Sequence, residues 1–190
     1  MLYYEESKTL PKSFNEEAVL SQDYEVTFDE IRNSLLVLGP QPKKPEWNMA
    51  WRRILVDNLE ILVKQLWAVG IKSIYVDGSF VQDKGHPGDI DGCFECDWPE
   101  WISGSLARRL NEAAPKKIWT WADNSRRSVA GFRTAKLPMW RSYRIELFPH
   151  FPGRGIGLTT DDGTFLPILD AFRLIRGSSR RKGILILRQG

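Results

Sequence analysis

Cysteine, histidine and long apolar runs are scarce in this chain of 190 residues, and each scarcity excludes a class of protein. With two cysteines and two histidines, a disulfide-stapled scaffold is excluded and a structural zinc site lacks ligands. No stretch reaches the ~18 apolar residues that a membrane-spanning helix needs. The first residues, Met1 to Glu6, lack the basic and apolar regions of a signal peptide. We therefore expect a cytoplasmic protein, with no membrane partner.

The two cysteines, Cys93 and Cys96, have the C-x-x-C spacing of redox and zinc motifs. They fall on or just after a predicted strand, where residues three apart face opposite sides. A second cysteine pair, which a zinc site would need, does not exist in the chain. We therefore expect two reduced thiols without a catalytic role.

The composition suits one main core: 42% of the residues are hydrophobic, and the net charge of +3 excludes a global polycation. Pro40, Pro42 and Pro45 lie in a predicted linker, which ends an N-terminal extension at residues 1–45. Within this extension we expect a short helix at about 28–37 and an irregular segment at 1–26. Residues 46–190 form the main domain. Its clearest element is a helix from about 46 to 69, in which apolar residues recur at steps of three and four.

Chemistry concentrates between Asp77 and Asp91. A β-branched strand (71–76) ends at Gly78 and Ser79, whose backbone N–H groups and hydroxyl can hold a phosphate. After an irregular loop, Asp89 and Asp91 lie two apart on a second strand, so both side chains project to one face. Two such carboxylates repel each other unless a cation lies between them, and oxygen ligands suit Mg²⁺.

Each half of this motif has an ordinary structural explanation. An Asp-x-Asp pair is often only the solvent face of an edge strand, and Gly-Ser is common in turns. Their combination, in this order and at this spacing, favours a site for a metal-bound nucleoside triphosphate.

The Gly-Ser turn followed by Asp89-Ile90-Asp91 resembles the signature of the polymerase-beta-like nucleotidyltransferases. In that superfamily a third carboxylate lies on a later strand, and Glu146 in the alternating segment Tyr143 to Phe148 matches it, although Asp is commoner there. The chain also resembles a group of uncharacterised bacterial proteins within the superfamily, through Leu10-Pro11, Asp77-Gly78-Ser79-Phe80, Pro87-Gly88-Asp89-Ile90-Asp91 and Lys182-Gly183-Ile184.

The resemblance implies an α+β fold that approaches α/β, with a small mixed β-sheet and helices mainly on one face. It implies transfer of a nucleoside monophosphate from a nucleoside triphosphate to an acceptor, which is RNA, protein or a small molecule. Asp89, Asp91 and Glu146 would be catalytic and would bind two Mg²⁺ ions, or Mn²⁺. Gly78, Ser79 and Lys182 would contact phosphates. The alternative is a catalytically degenerate nucleotide- or RNA-binding protein, as one half of a toxin–antitoxin or defence pair.

Basic and aromatic residues are interleaved over 116–144, which is typical of surfaces that bind a nucleic-acid strand or a base. The other interpretation of this segment is a twisted hairpin with a solvated basic face. For His86, in the loop between the two motif halves, we expect a loop residue rather than a catalyst. For the glycine-rich stretch 153–157 we expect a connection rather than a dinucleotide loop.

Overall fold

The computed structural model describes residues 9–154, 157–159 and 163–190. Residues 1–6, on which the expectation about a signal peptide rests, and the centre of the glycine-rich stretch lie outside these ranges. In chain order the elements are β1 (Tyr24–Val26), α1 (Phe28–Arg32), α2 (Leu35–Leu38), α3 (Met49–Ala68), β2 (Ile74–Asp77), β3 (Ile90–Glu95), α4 (Trp98–Ile102), α5 (Ser105–Ala113), α6 (Pro138–Tyr143), β4 (Ile145–His150), β5 (Gly157–Thr159), β6 (Phe165–Pro167), α7 (Ile168–Phe172) and β7 (Leu185–Leu187).

The main sheet has five strands in the order β1-β7-β2-β3-β4. The pairs β1–β7 and β3–β4 are parallel, whereas β7–β2 and β2–β3 are antiparallel. Strands β5 and β6 form a separate antiparallel pair. The predicted α+β class with a small mixed sheet is confirmed.

One face of this sheet carries most of the core. Helix α3 begins after Asn48, whose side chain accepts a hydrogen bond from the Trp51 backbone N–H. Its apolar stripe of Leu55, Leu59, Leu62 and Leu66 is fully buried, and each such leucine contributes about 1.5–3 kcal/mol. The helix predicted at about 46–69 is therefore confirmed at Met49–Ala68.

The opposite face is covered only in part. Cys93 of β3 packs there with Ile168 and Phe172 of α7, and Tyr75 and Phe148 border this smaller cluster. Strand residues alternate between faces, so the odd-numbered residues of β2 and β3 and the even-numbered residues of β4 point to this side. The candidate site lies on this partly open face.

The N-terminal segment is more regular than its sequence predicts. Residues 24–26, expected to be irregular, form β1 and pair with β7 from the far end of the chain. The single helix expected at about 28–37 is divided into α1 and α2. The division occurs because the Ser34 hydroxyl donates to the carbonyl of Ile31 and accepts from the N–H of Leu36. These local bonds replace helical ones.

The helix Met49–Ala68 is the longest in the described ranges, and neither it nor any other helix there has the length and apolarity to cross a membrane. Helices α4 and α5 are separated by Gly104, which has a positive φ of 70°.

Candidate functional site

Three acidic side chains form a row across the open face of the sheet. Asp77 of β2 is the direct cross-strand partner of Asp91 of β3, and Asp91 is the partner of Glu146 of β4. Directly opposed residues of neighbouring strands share a face. Asp89, immediately before β3, joins them: the carboxylates of Asp89, Asp91 and Glu146 each offer an oxygen within 4.8 Å of the others. The three acids predicted from the sequence are thus adjacent in the structure.

A lysine lies inside this cluster. The Lys136 ammonium is 3.0 Å from Asp89 Oδ2 and 2.8 Å from Glu146 Oε2. Burial disfavours its charge, but the hydrogen bond to Glu146 and the attraction of Asp89 outweigh burial and raise the pKa of Lys136. Lys136 therefore bridges two of the three carboxylates as a cation.

The segment around Lys136 closes over the same carboxylates. The Leu137 backbone N–H donates to Glu146 Oε1 at 3.1 Å, and the Trp140 indole N–H donates to Asp89 Oδ2 at 2.8 Å. The Arg126 guanidinium lies at the rim of the site, 3.7 Å from Glu146 Oε1. The basic and aromatic segment 116–144 is apparent from the sequence, but the individual residues that contact the acids are not.

Asp77 and Lys182 form a second buried pair next to the first. Lys182 Nζ is hydrogen-bonded to Asp77 Oδ1, and both side chains are at least nine-tenths buried. Burial raises the pKa of Asp77, although the charge of Lys182 and the Gly78 backbone N–H oppose that rise. Lys182, expected to contact phosphate, thus lies beside the predicted turn with its ammonium engaged by Asp77. Asp77 is a fourth acid of the site, which the sequence indicates only as the start of the turn.

Asp91 lies between the two acids that carry lysine partners. Burial, together with the nearby charge of Asp89, raises the pKa of Asp91 to about 7, although Lys136 opposes part of this rise. The four carboxylates and the two buried ammonium groups leave two negative charges in excess, which Arg126 offsets in part. The site is therefore short of positive charge, and the deficit lies at Asp91.

The turn at Gly78 brings backbone against this carboxylate. Gly78 has φ +80°, and a Cβ built there would lie 2.7 Å from Asp91 Oδ2. Only glycine satisfies both the backbone conformation and the close approach. Ser79 follows, half-buried, in the short 3₁₀ turn Gly78–Val81. The two halves of the sequence motif are thus in contact.

The loop between these halves is held by helix α3. The Trp51 indole stacks on His86 with the ring centroids 5.5 Å apart, and its N–H donates to the carbonyl of Pro87 at 2.6 Å. Gly88 faces the ring of Phe132, from which a Cβ at that position would be 3.5 Å. His86 is exposed and stacks on Trp51, on the helix side of the loop.

The cysteines take no part in this chemistry. Cys93 and Cys96 are both free and buried. Burial raises the pKa of both thiols, that of Cys96 to about 12, so both stay protonated at neutral pH. A thiolate nucleophile is excluded at these two positions because the thiolate is the reactive form.

The donor set suits a hard divalent cation. All three clustered ligands are carboxylates, and Mg²⁺ is bound by oxygen at about 2.0–2.1 Å. Two oxygens on opposite sides of such an ion lie about 4.2 Å apart, close to the 4.8 Å limit within which the three carboxylates lie. Binding between all three requires Lys136 to release at least one carboxylate.

No curated protein and no solved structure matches the chain. The sequence pattern of a protein family matches residues 9–188, which is nearly the full length. The chain therefore belongs to DUF6932, a family of unknown function.

Proposed function

We propose that this protein is a metal-dependent nucleotidyltransferase, which moves a nucleoside monophosphate from a nucleoside triphosphate to an acceptor. The observation that carries the proposal is the convergence of Asp89, Asp91 and Glu146 within 4.8 Å, beside a tight glycine turn whose backbone touches Asp91. This is the arrangement that the resemblance to polymerase-beta-like enzymes requires.

In this proposal Asp89, Asp91 and Glu146 hold up to two Mg²⁺ or Mn²⁺ ions. Such ions lower the pKa of an attacking hydroxyl and stabilise the charge on a leaving pyrophosphate. Glu146, buried and hydrogen-bonded to the Leu137 N–H, is fixed in direction. Burial and the charge of Asp89 raise the pKa of Asp91 to about 7, so an added cation would stabilise its ionised form.

The remaining polar groups serve the polyphosphate. The Ser79 N–H and hydroxyl, with the Gly78 backbone beside them, would form the anion-binding end of the site. Lys182 keeps Asp77 neutralised next to that turn, which limits the repulsion between Asp77 and a phosphate. Arg126, at the rim, supplies a positive charge that can reach a phosphate without leaving the site.

The acceptor and the setting belong to the same proposal. A hydroxyl of RNA, protein or a small molecule would accept the nucleotide, and the cytoplasm would supply the triphosphate. A role in a toxin–antitoxin or defence pair fits such an activity.

A second candidate function is favoured by Lys136. Its ammonium occupies the space between Asp89 and Glu146, where a metal-dependent enzyme needs an ion. If that lysine is the permanent cation of the site, the protein binds a nucleotide or RNA without transferring it. The two functions differ in whether divalent ions bind.

The deciding experiment incubates the purified protein with each α-labelled nucleoside triphosphate, Mg²⁺ or Mn²⁺, and cell lysate, and then separates RNA, protein and small molecules. We expect label in one fraction for the wild type, none for Asp91→Asn, and full transfer for Glu95→Gln. Glu95 lies on the same strand and face as Asp91 but outside the cluster, where it bonds Tyr75. Transfer that survives Asp91→Asn would remove the proposed active site.

A further inference from the structure

An aromatic cavity lies along β4, the edge strand of the sheet that also carries Glu146. It has a volume of about 330 Å³. Five aromatic rings and one arginine line it: Trp98, Trp101, Trp121, Phe148, Phe151 and Arg126. Pockets of about 300 Å³ and above hold small molecules in proteins.

The rings of this aromatic cavity are held in fixed positions. Trp101 packs edge-to-face on Trp121 with centroids 4.8 Å apart, and Trp98 packs the same way on Phe151 at 5.1 Å. The Trp121 indole N–H donates to the carbonyl of Leu147 at 2.7 Å. The four rings other than Phe151 are only partly buried, so aromatic surface remains for a ligand.

The aromatic cavity neighbours the carboxylate cluster, and Phe148 and Arg126 connect the two. Phe148 follows Glu146 by two residues on β4 and therefore shares its face, about 7 Å further along the strand. Arg126 lines the cavity and also reaches to 3.7 Å from Glu146 Oε1. A single ligand of nucleotide length could thus contact both places.

The charge around the cavity selects among aromatic ligands. Arg126 lines it, and the Arg154 guanidinium lies 5.4 Å from the centroid of the Trp98 ring. Two guanidinium groups disfavour a cationic ligand and favour a flat ring attached to an anion. All nucleobases can stack on aromatic side chains, because every base has a π-face.

We infer that this cavity binds the nucleobase of a nucleotide whose phosphates point toward Asp91, an inference that rests on the proposed nucleotidyltransferase function. The base comes either from a free mononucleotide or from the end of an RNA strand. Stacking contributes most of the affinity, and Arg126 attracts the phosphate side.

Calorimetry with EDTA present tests this binding apart from metal chemistry. The probes are AMP, ribose 5-phosphate as a probe without a base, and a single-stranded RNA pentamer. We expect AMP to bind and ribose 5-phosphate not to bind. Phe148→Leu, which keeps apolar bulk but removes the ring, should weaken AMP binding about fivefold or more. Trp98→Leu serves as a second variant should Phe148→Leu fold poorly.

The matched control is Trp67→Leu, which removes a half-buried indole of α3 that borders a different cavity and should leave AMP binding unchanged. Equal binding of AMP and ribose 5-phosphate, or no binding of any probe, overturns the inference. Binding of RNA alone, weakened by Phe148→Leu, supports it and identifies a strand as the source of the base. Asp91→Asn separates the two proposals, because it should abolish nucleotide transfer without weakening AMP binding in EDTA.

Discussion

Replacing Lys136 by methionine tests the electrostatics of the site most directly. Methionine keeps much of the length and apolar stem of lysine but removes the ammonium that bridges Asp89 and Glu146. The side chains of Lys136 and Glu146 are only 8% and 5% exposed, so the carboxylates left behind are poorly solvated. Removing one partner of a buried ion pair costs about 3–5 kcal/mol.

This loss should appear in thermal unfolding. For a chain of this size 1 kcal/mol corresponds to about 2–4 °C, so we expect Lys136→Met to unfold roughly 6–20 °C below the wild type in EDTA. Mn²⁺ at one hundred times its dissociation constant restores about 2.7 kcal/mol, or roughly 5–11 °C. Circular dichroism melts with EDTA or Mn²⁺ measure both quantities.

The control for this variant is Lys182→Met. It also breaks a buried lysine–aspartate pair, but Asp77 lies outside the three-carboxylate cluster. We expect a similar loss of stability in EDTA and a response to Mn²⁺ smaller than that of Lys136→Met, because Lys182 does not bridge the three-carboxylate cluster.

The outcomes separate the two candidate functions. A wild type that responds to Mn²⁺, and a larger response in Lys136→Met, support the metal-dependent enzyme. A response only in Lys136→Met supports the protein in which the lysine is the permanent cation. If neither the wild type nor either variant responds to Mn²⁺, the cluster is not a divalent-cation site and the reasoning fails.

Two further predictions use matched pairs within the chain. Gly78→Ala should displace Asp91 and abolish Mn²⁺ binding, measured by calorimetry, whereas Gly70→Ala, with φ +90° but open space around its Cβ, should keep it. Burial lowers the pKa of His150 below its ordinary value of 6.5. Below about pH 6.5 the imidazole is therefore protonated more fully in the unfolded chain than in the native state, so stability falls as the pH drops. His150→Gln should lose this part of the pH dependence in urea titrations, and His86→Gln, in an exposed loop, should retain it; equal curves for the two variants would contradict the assignment.

The sequence was sufficient for the parts of the fold that repeat over many residues. The stripe of α3 extends over 20 residues, and its period is unambiguous. The Asp89–Asp91 pair needed only the two-residue period of a strand, which is also local. Glu146 could be placed because its strand alternates in the same way.

Long-range contacts could not be found in this manner. The bond between Lys136 and Asp89 joins residues 47 positions apart, and no periodicity relates them. Strand β1 has three residues, too few for a pattern, and pairs with β7 near the other end of the chain. The mixture of basic and aromatic residues indicated a binding role for 116–144. Which of these residues enters the acidic cluster depends on how α6 packs.

The charges of the site limit how many divalent ions it can bind. Asp77 and Glu146 each have a lysine partner, whereas Asp91, between them, has its pKa raised to about 7 by burial and by Asp89. A first divalent ion can therefore bind at Asp91 without breaking either lysine pair. A second ion between Asp89 and Glu146 must displace Lys136, which costs the energy of that buried pair. A triphosphate can offset this cost, because its negative charge offers the displaced ammonium a new partner. The two-ion state should consequently form only with nucleotide bound, and Mn²⁺ should bind with a stoichiometry of one to the free wild type.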